Sequence, residues 1–183
     1  GQFEQAERTF LEAMRESGIT VMPGVPQLFD GLDRALRERV RSLSAWKRAL
    51  FRALVKASHT IRETTGCNPG RLFFPQIHRL FGARFRFFVS GGAKLDAAVT
   101  ARLLDLGIRV VEGYGLTETS PVATFNPPDH IRPGSAGRPL PGVDIRIDRP
   151  DAQSVGEVLI RGPNVMQGYE NRPEETADVL KNG

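Results

Sequence analysis

The sequence predicts an α/β fold: a portion of a parallel βαβ sheet followed by a smaller antiparallel β region. Three observations carry this. Residues 85–89 and 108–111 are short apolar runs on either side of a helical pattern over residues 95–106, the order of a βαβ unit. Glycines at Gly91-Gly92 and Gly107 punctuate the changes of element. Beyond about residue 120, Pro-Gly turns become frequent and apolar residues alternate with polar ones, as in short half-exposed strands. The change of style sets an expected boundary near residue 125, with an α/β part over 1–125 and a β-rich part over 126–183.

The elements follow in order. Phe3, Ala6, Phe10, Ala13 and Met14 recur at helical spacing, which predicts an amphipathic helix over 3–17 stopped by Gly18. Residues 19–22 read as a short strand closed by Pro23-Gly24, and Pro26 opens a helix to about Leu36. Residues 66–70 form a turn and a short helix covers 76–81. After the strand at 85–89 comes Ser90-Gly91-Gly92-Ala93, then a helix with Asp96 placed to cap it. In the second region, Val143, Ile145 and Ile147 alternate with Asp144, Arg146 and Asp148, and Val158 and Ile160 alternate with Glu157, Leu159 and Arg161. Helical character returns only at Pro173-Glu174-Glu175-Thr176.

Composition bounds the function. Hydrophobic residues are 40% and charged residues 25% of 183, with 11 Phe, enough for a packed core and against disorder throughout. The single Cys67 excludes an internal disulfide and a multi-cysteine metal site, so a reducing cytoplasm is expected. No apolar run approaches the ~18 residues that span a bilayer, and no signal peptide is apparent. Gly1 and Asn182-Gly183 read as cut points. The net charge of +4 suits an anionic nucleotide or a membrane surface. Most of it lies in residues 34–62, where nine Lys and Arg face only Glu38. Arg48, Arg52 and Lys56 share one face of that stretch, and Trp46, Leu50, Leu54 and Ala57 run along another. A solvated helix face and a peripheral membrane helix both fit this pattern. Nucleic acid is not expected, because the charge lacks interleaved aromatic side chains.

The chemistry concentrates in Glu112-Gly113-Tyr114-Gly115-Leu116-Thr117-Glu118-Thr119-Ser120, directly after the strand at 108–111. Ligands of open parallel sheets bind outside the carboxyl ends of strands, and Ser90–Ala93 leaves its own strand at the same edge. Glycines at 91, 92, 113 and 115 let backbone approach a ring or a phosphate. Tyr114 offers a face to a base, Thr117 a hydroxyl to a phosphate oxygen, and Glu118 a hard carboxylate suited to Mg²⁺. By spacing alone these could equally be tight turns.

The string Gly113-Tyr114-Gly115-Leu116-Thr117-Glu118-Thr119 resembles a core motif of the adenylate-forming (AMP-binding) superfamily. Ser90-Gly91-Gly92-Ala93 is similar to the motif that precedes it there. Gly156-Glu157-Val158-Leu159-Ile160-Arg161-Gly162, with Val165-Met166-Gln167-Gly168-Tyr169, is similar to the one that follows. The order and spacing of all three agree, and the resemblance covers most of 19–183. Within the superfamily, Leu116-Thr117-Glu118-Thr119-Ser120-Pro121, Val25-Pro26-Gln27-Leu28-Phe29 and the basic insertion resemble long-chain fatty-acid–CoA ligases. Peptide-synthetase domains usually have Pro where Leu116 stands.

The resemblance implies an incomplete large N-terminal domain. It implies ATP (AMP) and Mg²⁺ at the site, with a fatty acid and coenzyme A as further substrates. Gly91, Gly92 and Ala93 would line the adenine and the start of the acyl pocket. Glu112, Gly113 and Tyr114 would meet the adenine, with Gly115 and Leu116 completing the loop. Thr117 would bind the α-phosphate and Glu118 would hold Mg²⁺. Gly156, Gly162, Gly168 and Tyr169 would be structural. The family's phosphate-gripping loop ending in Pro-Lys-Gly, its Thr-Gly-Asp motif and its catalytic lysine are not among these residues, so the chain alone is expected to be inactive. An aryl- or amino-acid-activating enzyme, or a non-catalytic nucleotide- or membrane-binding module, stands as the alternative.

Overall fold

A computed structural model of the chain describes residues 12–181. The first part of the helix expected over 3–17 lies outside these residues. Its end, α1, is helical over 12–16, and Gly18 follows in the left-handed region at φ 62°. The chain divides into two compact units. One holds the chain up to Glu112 together with Pro127–Ser135, and the other holds Gly113–Asn126 and the chain from Ala136 on.

The first unit is built on three parallel strands, β1 (Val21–Gly24), β2 (Phe87–Ser90) and the first part of β3 (Val110–Tyr114). Their register pairs Val21 with Phe87, Phe88 with Val110, and Ser90 with Glu112. β1 begins and ends two residues later than the pattern at 19–22 suggests, and Pro23 lies within it. A proline is tolerated there because β1 pairs with β2 alone among the described residues, as an edge strand does. Five helices follow in this unit: α2 (Pro26–Arg41), α3 (Ala45–Thr65), α4 (Gly70–Phe73), α5 (Pro75–Phe81) and α6 (Ala97–Asp105). α2 runs past Leu36 to Arg41, since arginine is a good helix former and nothing before Ser42 interrupts it.

α6 is the crossover between β2 and β3, and its ends are those expected. The Asp96 carboxylate accepts from the Ala98 N–H at 2.7 Å. Gly107 ends it at φ 80°, with Ile108 N–H returning to the Leu103 carbonyl at 2.9 Å. The core between helices and strands contains Phe29, Phe88, Leu95, Leu103, Ile108 and Val110, each at most 2% exposed. Phe88 is its centre, with Phe29, Phe81 and Phe85 rings at 5.5, 5.4 and 4.5 Å. Each such phenyl contributes about 1.5–3 kcal/mol by burial.

α3 carries the basic stripe. Its inner side presents Phe51, Leu54 and Val55 to the core. Arg62 and His59 meet Asp105 of α6 at 2.8 and 3.1 Å. Trp46 and Leu50, expected on the apolar side, are 65% and 52% exposed.

The second unit is antiparallel. Gly113 and Tyr114 at the end of β3 pair with β4 (Thr124–Phe125), which pairs in turn with β5 (Arg138–Pro139). β6 (Asp144–Asp148) and β7 (Glu157–Arg161) form a separate hairpin, the two alternating segments of the sequence. Asp151 shapes its turn, with one carboxylate oxygen accepting from the N–H groups of Gln153 and Val155, both at 2.9 Å. The short α7 (Pro173–Val179) follows.

Candidate functional site

In the first unit, β2 ends at the buried Ser90 and the chain turns through Gly91, Gly92 and the exposed Ala93. Gly92 has φ 81°, and a Cβ on Gly91 or Gly92 would meet nothing within 4 Å. The backbone here is open to approach from outside. Glu112, opposite Ser90 in the register, is different. Its carboxylate is directed inward, 8% exposed, where the Thr100 hydroxyl donates to it at 3.2 Å and the N–H groups of Leu95 and Gly134 donate as well. Burial raises its pKa above the ordinary carboxylate value, and these three donors work against that rise. Glu112 can therefore offer a ligand its backbone, while its side chain fastens α6 and the 127–135 segment to β3.

In the second unit, Gly113 and Tyr114 are strand residues rather than loop residues, because Phe125 and Thr124 pair with them. The Phe125 ring lies where a Gly113 Cβ would point, 2.9 Å away. The Tyr114 side chain is 37% exposed. The turn proper starts at Gly115, where a Cβ would fall on the Pro121 carbonyl, so only glycine fits. Leu116 is 45% exposed. A 3₁₀ turn spans Thr117–Thr119. The buried Thr119 closes it, its hydroxyl accepting from the Leu116 N–H at 2.9 Å and donating to the Leu116 carbonyl at 3.0 Å. Ser120 leaves the turn in the left-handed region at φ 55°.

This turn exposes Thr117 and leaves Glu118 half-buried. The segment after β7 holds it from the same unit. Met166 N–H donates to the Glu118 carbonyl at 2.8 Å. The Asn164 amide donates to the carbonyls of Thr119 and Val122 at 3.0 and 3.2 Å. The Tyr169 hydroxyl donates to Glu118 Oε1 at 2.7 Å, which lowers the Glu118 pKa and raises that of the phenol. Tyr169 is itself fixed by Thr176, whose hydroxyl accepts from its N–H at 2.9 Å. Tyr169, expected to be structural, thus also contacts the candidate metal ligand. No local pattern signals it, because the two residues lie 51 positions apart. Among the described residues no group of three or more His, Cys, Asp and Glu side chains could enclose a metal. A carboxylate beside a hydroxyl is nevertheless an oxygen-only set that suits Mg²⁺, which binds through one or two carboxylates, water and substrate phosphates.

Residues 2–170 match the model of a family described as AMP-binding enzyme. The chain belongs to that family. It is similar to a human protein named long-chain-fatty-acid–CoA ligase 1, 30% identical over 196 residues, which cover 98% of this chain and 27% of that protein. It is also similar to a feruloyl-CoA synthase of Amycolatopsis sp, 41% identical over 105 residues, which cover 54% of this chain and 21% of the other. A solved structure, the ATP-bound RpMatB-BxBclM chimera B3, superposes with a TM-score of 0.59 at 28% identity, covering 96% of this chain and 28% of that one. The chain thus spans about a quarter of the length of these curated relatives.

Proposed function

We propose that this chain forms the adenine, α-phosphate and Mg²⁺ side of the site in an ATP-dependent acyl–CoA ligase that activates a fatty acid. The observation that carries the proposal is the Thr117–Glu118 turn. It offers an outward hydroxyl and a carboxylate with one oxygen already engaged by Tyr169. In this proposal Gly91, Gly92 and Ala93 line the adenine and the entry of the acyl pocket. Glu112 and Gly113 border the adenine through backbone, and Tyr114 packs on its face. Gly115 and Leu116 set the turn.

In the reaction a fatty-acid carboxylate oxygen attacks the α-phosphorus of ATP. The new P–O bond forms as the bond to pyrophosphate breaks. The acyl-adenylate then passes its acyl group to the coenzyme A thiol and releases AMP. Thr117 donates to an α-phosphate oxygen, where charge builds in the transition state. Glu118 holds Mg²⁺, which when bound offsets phosphate charge. Tyr169 keeps the Glu118 carboxylate oriented. The 28% identity to an ATP-bound chimera supports the nucleotide, and the human relative's name supports the fatty acid.

The similarity to a feruloyl-CoA synthase favours an aryl acid as the second reading. ATP–pyrophosphate exchange by the full-length protein separates the two, with palmitate, ferulate and amino acids as arms. The proposal predicts exchange with palmitate. Exchange with ferulate alone replaces the substrate, and exchange with none leaves a non-catalytic module. The chain alone is proposed to be inactive, and the full-length protein to act in the cytoplasm. The exposed Trp46 and Leu50 beside the basic stripe of α3 support peripheral membrane contact, which liposome sedimentation of the chain at graded salt tests. No helix among the described residues is long and apolar enough to cross a membrane.

A further inference from the structure

The first unit holds a cavity that the proposed function does not use. Its volume is about 160 Å³, and Arg71, Arg86, Arg109, His78 and Asn68 line it with Phe81 and Phe85. Arg86 directly precedes β2 and Arg109 directly precedes β3. The cavity therefore opens at the amino ends of the parallel strands, whereas Ser90–Ala93 leaves the carboxyl end of β2. A four-residue strand at about 3.3 Å per residue puts roughly 13 Å between the two ends.

Its polar lining is one-sided. Three arginines, a histidine and an asparagine line it, and no carboxylate does. Neither Arg86 nor Arg109 has an ion pair among the described residues, and the Arg86 guanidinium lies 5.9 Å from the centroid of the Phe87 ring. Uncompensated like charges around one cavity repel, and an anion there removes the repulsion.

The walls are also fixed before any ligand arrives. The Asn68 amide donates to the Leu104 carbonyl at 2.7 Å, and its oxygen accepts from the Gly70 N–H at 2.9 Å. His78 Nε2 donates to the Leu106 carbonyl at 2.9 Å, and Arg71 donates to the Ala83 carbonyl at 3.2 Å. The floor is a backbone contact between Gly70 and Gly107, so close that a Cβ on either would collide with the other's backbone. These bonds order the wall around Asn68, Arg71 and His78, so that only Arg86 and Arg109 need to move to meet an anion.

We propose that this cavity binds a phosphate-class anion, either free phosphate or the terminal phosphate of a phosphomonoester, at a site separate from the Thr117–Glu118 turn. Arginine's planar fork matches phosphate oxygens, and exposed Arg86 and Arg109 can swing onto them without breaking an existing bond. His78 supplies a reporter. Burial is the main cause that holds its pKa below the ordinary value, with Arg71 and Arg109 adding to it and the Leu106 carbonyl opposing. A bound anion reverses the arginines' effect.

The test is an NMR titration of the full chain with inorganic phosphate, at ionic strength held constant with chloride. The three histidines are followed separately. The expected result is a saturable shift of the His78 ring signals and a rise in its titration midpoint, with His59 and His130 unmoved. Arg86→Gln and Arg109→Gln, both at exposed positions and checked for unchanged circular dichroism, should each weaken binding by about tenfold. Thr117→Ala should leave it intact. A second arm uses phosphatidylcholine vesicles with and without phosphatidic acid. Saturation by inorganic phosphate identifies a free anion as sufficient, and His78 shifts only with phosphatidic acid identify a lipid headgroup. The proposal is overturned if neither arm saturates, if the arginine variants bind like the parent chain, or if Thr117→Ala abolishes the binding.

Discussion

Arg102→Ala should destabilise the chain more than Asp33→Asn, although it removes one ion pair and Asp33→Asn removes two. Asp33 sits on the inner face of α2 with its side chain 5% exposed. Arg102 of α6 reaches it with Nε at 3.0 and 3.2 Å and Nη2 at 2.8 Å. Arg37, one turn along α2, reaches the same carboxylate at 3.1 Å. The Arg102 side chain is 42% exposed, so it can turn to water when the carboxylate is neutralised. Asp33 has no such escape. Asp33→Asn forfeits hydrogen bonds to a charged group, about 1.5–3 kcal/mol at most, and the solvated Arg102 brings the expected loss near 1.5 kcal/mol. Arg102→Ala strands a buried carboxylate, for which the cost is about 3–5 kcal/mol, and the retained Arg37 puts the expected loss near 3 kcal/mol. Urea unfolding followed by circular dichroism measures both, with the midpoints compared at equal m. If Asp33→Asn costs as much as Arg102→Ala or more, the desolvation argument for this pair is wrong.

Gly115→Ala should distort the turn, because the new methyl falls on the Pro121 carbonyl. Limited proteolysis should then cut near residues 115–122, where the parent chain resists. Tyr169→Phe removes the donor to Glu118, so the Glu118 carboxyl should titrate at a higher pH by carbon-13 NMR. An unchanged titration would mean that the contact does not hold in solution. The lowered folded pKa of His78 means that the unfolded chain binds the extra proton first. Stability should therefore fall as pH drops below the ordinary value of 6.5, and His78→Gln should flatten that part of the profile.

The parallel half of the fold was legible because its signals are local. Asp96 and Gly107 bound α6 on either side, and the apolar runs beside it are β2 and β3. The alternation at 143–147 and 157–161 likewise produced β6 and β7 with their antiparallel register. What escaped depended on partners distant in the chain. β3 extends through Tyr114 because β4 pairs with it, and β1 accommodates Pro23 because β2 alone pairs with it among the described residues. At the candidate site the residue types of Thr117 and Glu118 were legible, but the reason for glycine at Gly115, the close Pro121 carbonyl, was not. The inward commitment of the Glu112 side chain was not. It rests on Thr100 and Gly134, which no motif links to it. The arginine-lined cavity was equally hidden, since its residues come from three separate stretches between Asn68 and Arg109.

The most direct test of the proposed site is ATP–pyrophosphate exchange by the full-length protein with palmitate, before and after Glu118→Ala. If Glu118 holds Mg²⁺ at the α-phosphate, the variant should lose about a hundredfold or more of the exchange rate, as expected for removal of a group that stabilises developing charge. It should also keep the parent's circular dichroism. Exchange at near-parental rate would contradict the assignment of this turn as the adenylating edge.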